Sequence, residues 1–253
     1  MPRSARRKSR TNIYHVVLRG INRQMIFEEP EDAYMFLKIL NKFKDKSRYK
    51  IYGYCLMGNH VHLLIEEGVE ELGIVMRRIG ASFVYWYNTK YERNGHLFQD
   101  RFKSEVVEDY GYLLNVIRYI HQNPVKAKIV MDVSKYQWSS YSEYIGKSRI
   151  IDREFILRII DKDEKRALGF FRDFHKEESE DSFLDIHENQ RLSDREAVEV
   201  IKEICQVTHC IELQKLTKKD GRDRQIKSLK EQGLSTRQIA RLTGISRGVI
   251  VKA

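Results

Sequence analysis

Two histidines separated by one residue are the first side chains in this sequence whose spacing suggests chemistry. His60 and His62 lie in the strand-like segment 60–66, and on a β-strand residues i and i+2 point to the same face. Two imidazoles placed in this way can bind one divalent ion. The same pair also fits a purely structural role, as two half-buried histidines on a sheet.

A tyrosine and an asparagine form the second pair. Tyr119 and Asn123 are four residues apart in the helix-like segment 110–123, so they lie on one helix face. The asparagine carbonyl is an oxygen ligand suited to Mg²⁺ or Mn²⁺, and a tyrosine beside such an ion could attack phosphorus. Alternatively, Tyr119 packs against the sheet and Asn123 caps the helix before Pro124. His121 lies on a different helix face, so no general base is identified.

The elements that must position these groups follow one another in the order β-α-β-β-α-β. The predicted strands are residues 12–19, 50–57, 60–66 and 101–108, and the predicted helices are 31–46, 69–91 and a third that runs from about 110 until Pro124 ends it. This order matches a ferredoxin-like split βαβ layout. It predicts an antiparallel sheet with helices on one face, which leaves the other face for a site.

The composition changes after residue 146. Residues 151–175 look helical, residues 177–188 hold six acidic and no basic side chains, and residues 193–253 look all-helical. We therefore predict an α+β fold followed by an all-α domain. The predicted divisions are a first domain at 1–145, a helical connection with an acidic linker at 146–189, and a helical domain at 190–253.

The end of the chain has the pattern of a helix-turn-helix. Ser235 is placed to cap one helix, Gly244 to make a turn, and Ser246 to cap a second helix that carries Arg247. This segment resembles the DNA-binding domains of the replication-initiator and Trp-repressor type. The alternative is a plain helical hairpin in an accessory domain.

The overall composition favours a polyanionic partner and argues against a membrane. The 253 residues include 46 Lys+Arg and 36 Asp+Glu, a formal net charge of +10, which is typical of proteins that bind nucleic acid. No apolar run approaches the ~18 residues needed to cross a bilayer, and the basic start is not followed by the apolar stretch of a secretory signal. The 3 cysteines form no Cys-x-x-Cys pair, which predicts a reducing cytoplasmic location.

Four segments carry a resemblance to a known family. They are YHVVLRG at 14–20, GNHVHLL at 58–64, GHLFQDRF at 95–102 and RYIHQNPVKA at 118–127. Through them, residues 10–145 resemble the single-tyrosine HUH nucleases, in particular the transposases associated with repetitive extragenic palindromes (REP).

The resemblance implies a metal-dependent enzyme that cleaves and rejoins single-stranded DNA. It implies that His60, His62 and Asn123 bind Mg²⁺ or Mn²⁺ and that Tyr119 is the nucleophile, which forms a 5′-phosphotyrosine and releases a 3′-hydroxyl. It further implies a hairpin-forming palindromic substrate, an enzyme that is a monomer or a homodimer, and a location at the nucleoid in the cytoplasm.

Basic residues around these motifs are candidates for binding single-stranded or hairpin DNA and flanking duplex DNA. The predicted DNA-binding residues are Arg19, Arg23, Arg101, Lys103, Arg118, Lys126, Arg237 and Arg247.

Two other functions fit parts of the sequence. In the first, the helix-turn-helix acts as a DNA-binding regulator and the nuclease domain is inactive, although an inactive domain has no reason to retain all four site residues. In the second, the ferredoxin-like sheet binds RNA, but the sequence contains no match to the aromatic sheet motif of such modules.

Overall fold

The computed structural model describes residues 7–177, 183–184, 194–215, 219–232, 234 and 236–252. The chain divides into two compact units, Met1–Ile186 and His187–Ala253, and each unit has its own hydrophobic core. Within the described ranges, no helix is long and apolar enough to cross a membrane.

The first unit is built on a four-stranded sheet. Its strands are β1 (Ile13–Arg19), β2 (Lys50–Met57), β3 (His60–Glu66) and β4 (Lys103–Val106). Its helices in the described ranges are α1 (Pro30–Ser47), α2 (Leu72–Lys90), α3 (Tyr110–Lys126), α4 (Tyr141–Ile145), α5 (Arg153–Ile160) and α6 (Glu164–Phe174). Short 3₁₀ turns occur at Ile21–Arg23 and Val133–Lys135.

All neighbouring strands are antiparallel, in the spatial order β2-β3-β1-β4. Together with the chain order β1-α1-β2-β3-α2-β4, this is the ferredoxin-like arrangement. The predicted α+β fold, with an antiparallel sheet followed by a helical C-terminal region, is confirmed.

A tight turn determines where the histidine-bearing strand begins. Only Gly58 and Asn59 separate β2 from β3, as expected for a two-residue hairpin. Gly20, directly after β1, donates its N–H to the Asn59 carbonyl at 2.9 Å. The backbone of Gly20 also lies so close to that of Gln24 that a Cβ atom at Gly20 would collide with the Gln24 carbonyl oxygen. This position therefore requires glycine.

Both faces of the sheet are buried. Side chains alternate between the faces of a strand, and Val16, Leu18, Val61 and Leu63 on one face are at most 4% exposed. On the opposite face α3 packs close to β2 and β3. Tyr119 of α3 packs against His62, so α3 lies on the face that carries the histidines. The sequence analysis expected this face to be left open for the site, whereas in the structure α3 covers part of it.

The structure shows that α3 continues past its proline. Pro124 lies inside the helix, which ends at Lys126, so the prediction that the helix ends at Pro124 is wrong. Proline lacks an N–H, which removes one bond of the helical ladder. The ladder resumes after it, where the Ala127 N–H donates to the Asn123 carbonyl at 2.9 Å.

The segment that follows α4 shares the core of the first unit. Ile156 and Leu157 of α5 and Ala167 and Phe171 of α6 are buried in that core. The predicted domain boundaries at 145 and 189 stay a prediction; in the structure, α5 and α6 pack with the sheet unit.

All regular secondary structure in the described residues of the second unit is helical. It contains α7 (Asp194–Cys205), a 3₁₀ turn at Cys210–Lys215, α8 (Lys219–Glu231), α9 (Thr236–Thr243) and α10 (Arg247–Lys252). Gly244, between α9 and α10, has a φ of +72°, which favours glycine. Ile239, Ile245 and Ile250 are buried in the core of this unit. The predicted cap Ser235 lies outside the described residues.

A buried aspartate joins the start of α1 to the end of α2. The fully buried Asp32 accepts hydrogen bonds from the backbone N–H groups of Glu28 and Glu29 at 2.7 and 2.8 Å. It also accepts from Lys90 Nζ at 2.7 Å and from the Tyr91 hydroxyl at 2.8 Å. Burial alone would raise the pKa of Asp32, but these donors outweigh it and lower the pKa below its usual value.

We expect Asp32→Ala to lower the free energy of unfolding by about 3 kcal/mol, because Lys90 and the buried N–H groups lose their acceptor. Urea titration of the full chain followed by tryptophan fluorescence measures this, since both tryptophans, Trp86 and Trp138, lie in the first unit. The matched control Glu31→Gln removes only an exposed partner of Lys90 and should cost less than about 1 kcal/mol. Equal losses in the two variants would contradict the role assigned to Asp32.

Candidate active site

One face of the sheet carries both predicted histidines. His60 and His62 of β3 pair with Arg19 and Val17 of β1, and directly paired residues of antiparallel strands lie on the same face. Lys103 of β4 also pairs with Val17. The histidine face therefore carries two of the predicted DNA-binding side chains, Arg19 and Lys103.

Helix α3 brings the predicted nucleophile to these histidines. The ring centroids of Tyr119 and His62 are 5.7 Å apart, with the rings nearly perpendicular at 84°. The ring centroids of His62 and His60 are 5.0 Å apart. Asn123 lies one helical turn beyond Tyr119 on α3 and is half-buried. The structure therefore brings Tyr119, His62 and His60 together and places Asn123 on the same helix.

Both histidines of the pair form hydrogen bonds through Nδ1. His60 Nδ1 lies 2.6 Å from Oδ1 of Asn59, and His62 Nδ1 lies 3.1 Å from Nε2 of His15. His62 Nε2 is buried and has no hydrogen-bond partner among the residues that the structure describes. Sequence reasoning missed His15; the available signal was its position two residues before Val17, which places it on the histidine face.

Burial keeps the rings of His62 and His15 uncharged. It lowers the pKa of His62 well below its usual value, and the neighbouring His60 and His15 lower it further. Burial also lowers the pKa of His15 to about 3. Both rings are therefore neutral at pH 7, and a neutral imidazole has one nitrogen lone pair available.

The chemistry of these groups fits a divalent cation. A buried polar nitrogen without a partner is costly, and a metal ion at His62 Nε2 would satisfy it. In the part of the chain that the structure describes, no group of three or more His, Cys, Asp and Glu side chains is arranged to hold a metal ion. The predicted ligand set consists instead of two imidazoles and an amide oxygen. His60, His62 and Asn123 as ligands of Mg²⁺ or Mn²⁺ stay a prediction.

Two further side chains contact the ring of Tyr119, which is only 4% exposed. The ring centroid of Phe183 lies 5.0 Å from that of Tyr119, and Nζ of Lys126 lies 5.1 Å from the Tyr119 centroid. Phe183 also lies against Tyr112, at 5.3 Å between centroids. Phe183 falls in the segment predicted to be an acidic linker, where nothing in the sequence signals a contact with the site.

Buried polar contacts hold α3 from its other side. His121 Nδ1 lies 2.9 Å from His175 Nε2, and His121 Nε2 lies 2.7 Å from the Ser140 hydroxyl. Gln122 donates its side-chain amide to the His175 carbonyl at 3.0 Å. These bonds join α3 to α6 and to the residue before α4. His121 therefore anchors the helix and does not face the nucleophile.

The predicted DNA-binding side chains differ in exposure. Arg23, Arg101, Lys103, Lys126 and Arg247 are exposed, Arg19 is half-buried, and the side chain of Arg237 lies outside the described residues.

Arg118 is buried by contacts with neighbouring side chains and has little exposure to solvent. It is 7% exposed, and its guanidinium lies 3.1 Å from the Glu177 carboxylate and 3.3 Å from the Asn115 side-chain oxygen. The guanidinium carbon also lies 4.0 Å from the ring centroid of Phe174. In the structure Arg118 joins α3 to the end of α6, and its role in DNA binding stays a prediction.

Comparison with known proteins agrees with this architecture. Residues 8–123 match the family model described as transposase IS200 like. A solved structure of a REP-associated tyrosine transposase bound to a REP hairpin is similar to this chain, with a TM-score of 0.51 and 19% identity over 58% of this chain and 87% of that one. A protein from Deinococcus radiodurans R1 designated a transposase has a TM-score of 0.34 and 14% identity, over 48% of this chain and 97% of that one. A comparison with curated proteins gives no match.

The pair His121 and His175 predicts how stability depends on pH. Burial lowers the pKa of His175 to about 4 and lowers that of His121 well below its usual value, with His175 adding to the shift. Below pH ~6.5 the unfolded chain binds protons that the folded chain does not. The stabilisation is therefore complete above pH ~6.5 and is lost as the pH falls towards 4.

We expect His121→Gln to reduce the slope of unfolding free energy against pH by about 1.4 kcal/mol per pH unit between pH ~6 and ~4.5. Urea titrations of the full chain at a series of pH values, followed by tryptophan fluorescence, measure the slope. The control is His96→Gln, which changes an exposed histidine of the same unit and should leave the slope as it is. A slope that His121→Gln does not change would show that His121 is protonated in the folded state.

Proposed function

We propose that this protein cuts and rejoins single-stranded DNA with Tyr119 as nucleophile, because residues 8–123 match the family model described as transposase IS200 like, in agreement with the sequence motifs. The family match supports a transposase-like DNA endonuclease. The tyrosine mechanism rests on one observation, the packing of Tyr119 against His62 with ring centroids 5.7 Å apart. The ring that bears this hydroxyl lies against the ring of His62, and the buried Nε2 of His62 suits a metal ion.

In this mechanism the hydroxyl oxygen of Tyr119 attacks the scissile phosphorus. A bond forms between that oxygen and phosphorus while the bond from phosphorus to the 3′ oxygen breaks. The 5′ phosphate stays on the enzyme. The hydroxyl of Tyr119 gives up its proton to solvent as the new bond forms, and the departing 3′ oxygen takes up one proton, so that the step is balanced. Attack of a 3′-hydroxyl on the phosphotyrosine reverses these changes and joins two strands, so the chemistry is transesterification.

We assign His60, His62 and Asn123 as the residues that would hold Mg²⁺ or Mn²⁺. When bound, the ion stabilises the charge that develops on the phosphate oxygens. All three side chains are uncharged when they act as ligands, and burial keeps His62 in that state. An uncharged ligand set leaves the positive charge of the ion for the phosphate.

The substrate we propose is single-stranded DNA that folds into a hairpin at a palindromic REP. The REP hairpin bound to the similar transposase supports this choice. The exposed Arg23, Arg101 and Lys103, together with Arg19 on the histidine face, would contact DNA phosphates. The enzyme would act as a monomer or a homodimer.

For the second unit we propose binding to duplex DNA that flanks the hairpin. Helices α9 and α10, with Gly244 between them, have the order and spacing of a helix-turn-helix. Arg247, exposed at the first position of α10, and Arg237 would supply its positive charge. A protein that acts on chromosomal DNA would work in the cytoplasm, at the nucleoid.

We expect Tyr119→Phe to abolish both cleavage and the covalent protein–DNA adduct while DNA affinity changes less than about threefold, since only a hydroxyl is lost. The assay incubates the full chain with labelled hairpin DNA and Mg²⁺, or with EDTA, and analyses the products on a denaturing gel. Tyr110→Phe is the matched control, because Tyr110 lies on the same helix but is 57% exposed. This control should cleave like the unaltered protein.

Two results would contradict the assignment of Tyr119. Cleavage by Tyr119→Phe would transfer the role of nucleophile to Tyr112 or Tyr110. The absence of any adduct from a broad set of hairpins, together with tight binding to duplex DNA, would favour a helix-turn-helix regulator with an inactive nuclease domain.

We expect the triple variant Arg23→Gln, Arg101→Gln, Lys103→Gln to bind single-stranded hairpin DNA more weakly and with a shallower dependence on salt. Each lost phosphate contact should reduce the slope of log affinity against log salt by about 0.7 to 0.9. Fluorescence anisotropy at several salt concentrations measures both quantities. The control Lys38→Gln removes an exposed positive charge on α1 and should leave the slope unchanged. If the triple variant kept the original slope of log affinity against log salt, these three residues would not contact DNA phosphates.

A further inference from the structure

A third histidine lies directly behind the predicted metal ligand. His15 of β1 and His62 of β3 are on the same face of the sheet, because Val17, two residues after His15, pairs with His62. The two rings are stacked, with centroids 5.3 Å apart and an angle of 24° between their planes. Both side chains are fully buried, and His15 Nε2 lies 3.1 Å from His62 Nδ1.

A hydrogen bond between two neutral imidazoles can be arranged in only two ways, since each ring has one N–H and one lone pair. If His62 donates from Nδ1, its lone pair is on Nε2 and can bind a metal ion. If His15 donates from Nε2, His62 must carry its proton on Nε2, and that nitrogen cannot bind a metal ion. The direction of this single hydrogen bond therefore decides whether His62 is a ligand.

We propose that His15 is a positioning residue that accepts the Nδ1 proton of His62 and so keeps the Nε2 lone pair of His62 ready for a divalent ion. This inference rests on the proposed function, because it assumes that His62 is a ligand. His15 then carries its own proton on Nδ1. Hydrogen bonds from the second nitrogen of a metal-binding histidine commonly set its tautomer and ring orientation.

The other histidine of the pair follows the same pattern. The Asn59 amide nitrogen lies 3.4 Å from the Arg23 carbonyl, to which it donates, so its oxygen is the atom that faces His60 Nδ1 at 2.6 Å. An amide oxygen only accepts, and His60 must therefore donate from Nδ1. A donating Nδ1 on both histidines leaves Nε2 of each as the atom that binds a metal ion.

The proposed acceptor of the His62 Nδ1 proton is the neutral ring of His15, whereas many metal-binding histidines donate to a carboxylate. Glu105 pairs with His15 across β1 and β4, but its carboxylate accepts the Leu184 N–H at 2.9 Å and a hydrogen bond from Tyr112. A neutral acceptor donates less electron density through His62 than a carboxylate would.

The tautomer of His62 can be observed directly in the full-length protein. The full chain is labelled with ¹⁵N in its histidine rings, and long-range ¹H–¹⁵N correlation spectra are recorded with saturating Mg²⁺ and without it. The ring signals are assigned by comparison with His15→Gln and His62→Gln. We expect the proton of His62 on Nδ1 and a lone pair on Nε2. A protonated Nε2 on His62 in both spectra would overturn the proposal.

Metal binding tests the same role without DNA cleavage. Mn²⁺ is titrated into the full chain, and free Mn²⁺ is followed by electron paramagnetic resonance. We expect His15→Leu to weaken Mn²⁺ binding about 10- to 100-fold, and His15→Gln, which supplies an amide oxygen as acceptor, to recover most of the affinity. Val16→Ala is the matched control, because it removes a buried side chain of the same strand from the opposite face and should leave Mn²⁺ affinity unchanged.

The outcomes separate this inference from the proposed function. If the unaltered protein binds Mn²⁺ and His15→Leu binds it equally well, the role of His15 is wrong and the nuclease proposal stands. If the unaltered protein does not bind Mn²⁺ with or without hairpin DNA, the metal site fails and the role of His15 fails with it. If His15→Leu does not fold, the tautomer of the unaltered protein and the affinity of His15→Gln still decide the question.

Discussion

The antiparallel pairing of β1 with β3 is the constraint on which the site depends. A shift of this register by one residue would send His60 and His62 to the opposite face of the sheet and away from α3. Gly20 holds the two strand ends together through its bond to Asn59. The same register places His15 behind His62, so β3 with its two predicted ligands and β1 with His15 are aligned by one set of backbone hydrogen bonds.

Helix α3 connects this sheet face to the rest of the first unit. On one side Tyr119 packs against His62, and on the other His121 is bound to His175 and Ser140. These groups are neighbours in sequence, yet one faces the proposed reaction and the other the core. A nucleophile on a helix held from behind loses little conformational freedom when substrate arrives, which favours a defined attack geometry. The contacts of His121 therefore bear both on the pH dependence of stability and on the position of Tyr119, the proposed nucleophile.

Much of the fold followed from local patterns. The two-residue Gly58-Asn59 turn predicted the hairpin, and its strands begin and end as expected, because loop length strongly limits hairpin geometry. The prediction from Pro124 was wrong, since a proline in the last turn of a helix costs only one hydrogen bond, and the buried Pro124 ring packs within the first unit. The contact between Phe183 and Tyr119 was invisible in the sequence, because it joins residues far apart in an otherwise acidic segment.

The sequence by itself determined the types of the reacting groups and the periodicity that aligns them: two histidines at a spacing of two, and Tyr119 and Asn123 at a spacing of four. It also determined the element order and, through its motifs, the resemblance to a transposase family. Only the tertiary structure decided that His15 lies against His62, that Arg118 is enclosed by α6, and that His121 serves the core. Such contacts depend on which strands and helices become neighbours, and that is set by packing of the whole unit, whereas local spacing is set by the geometry of one element.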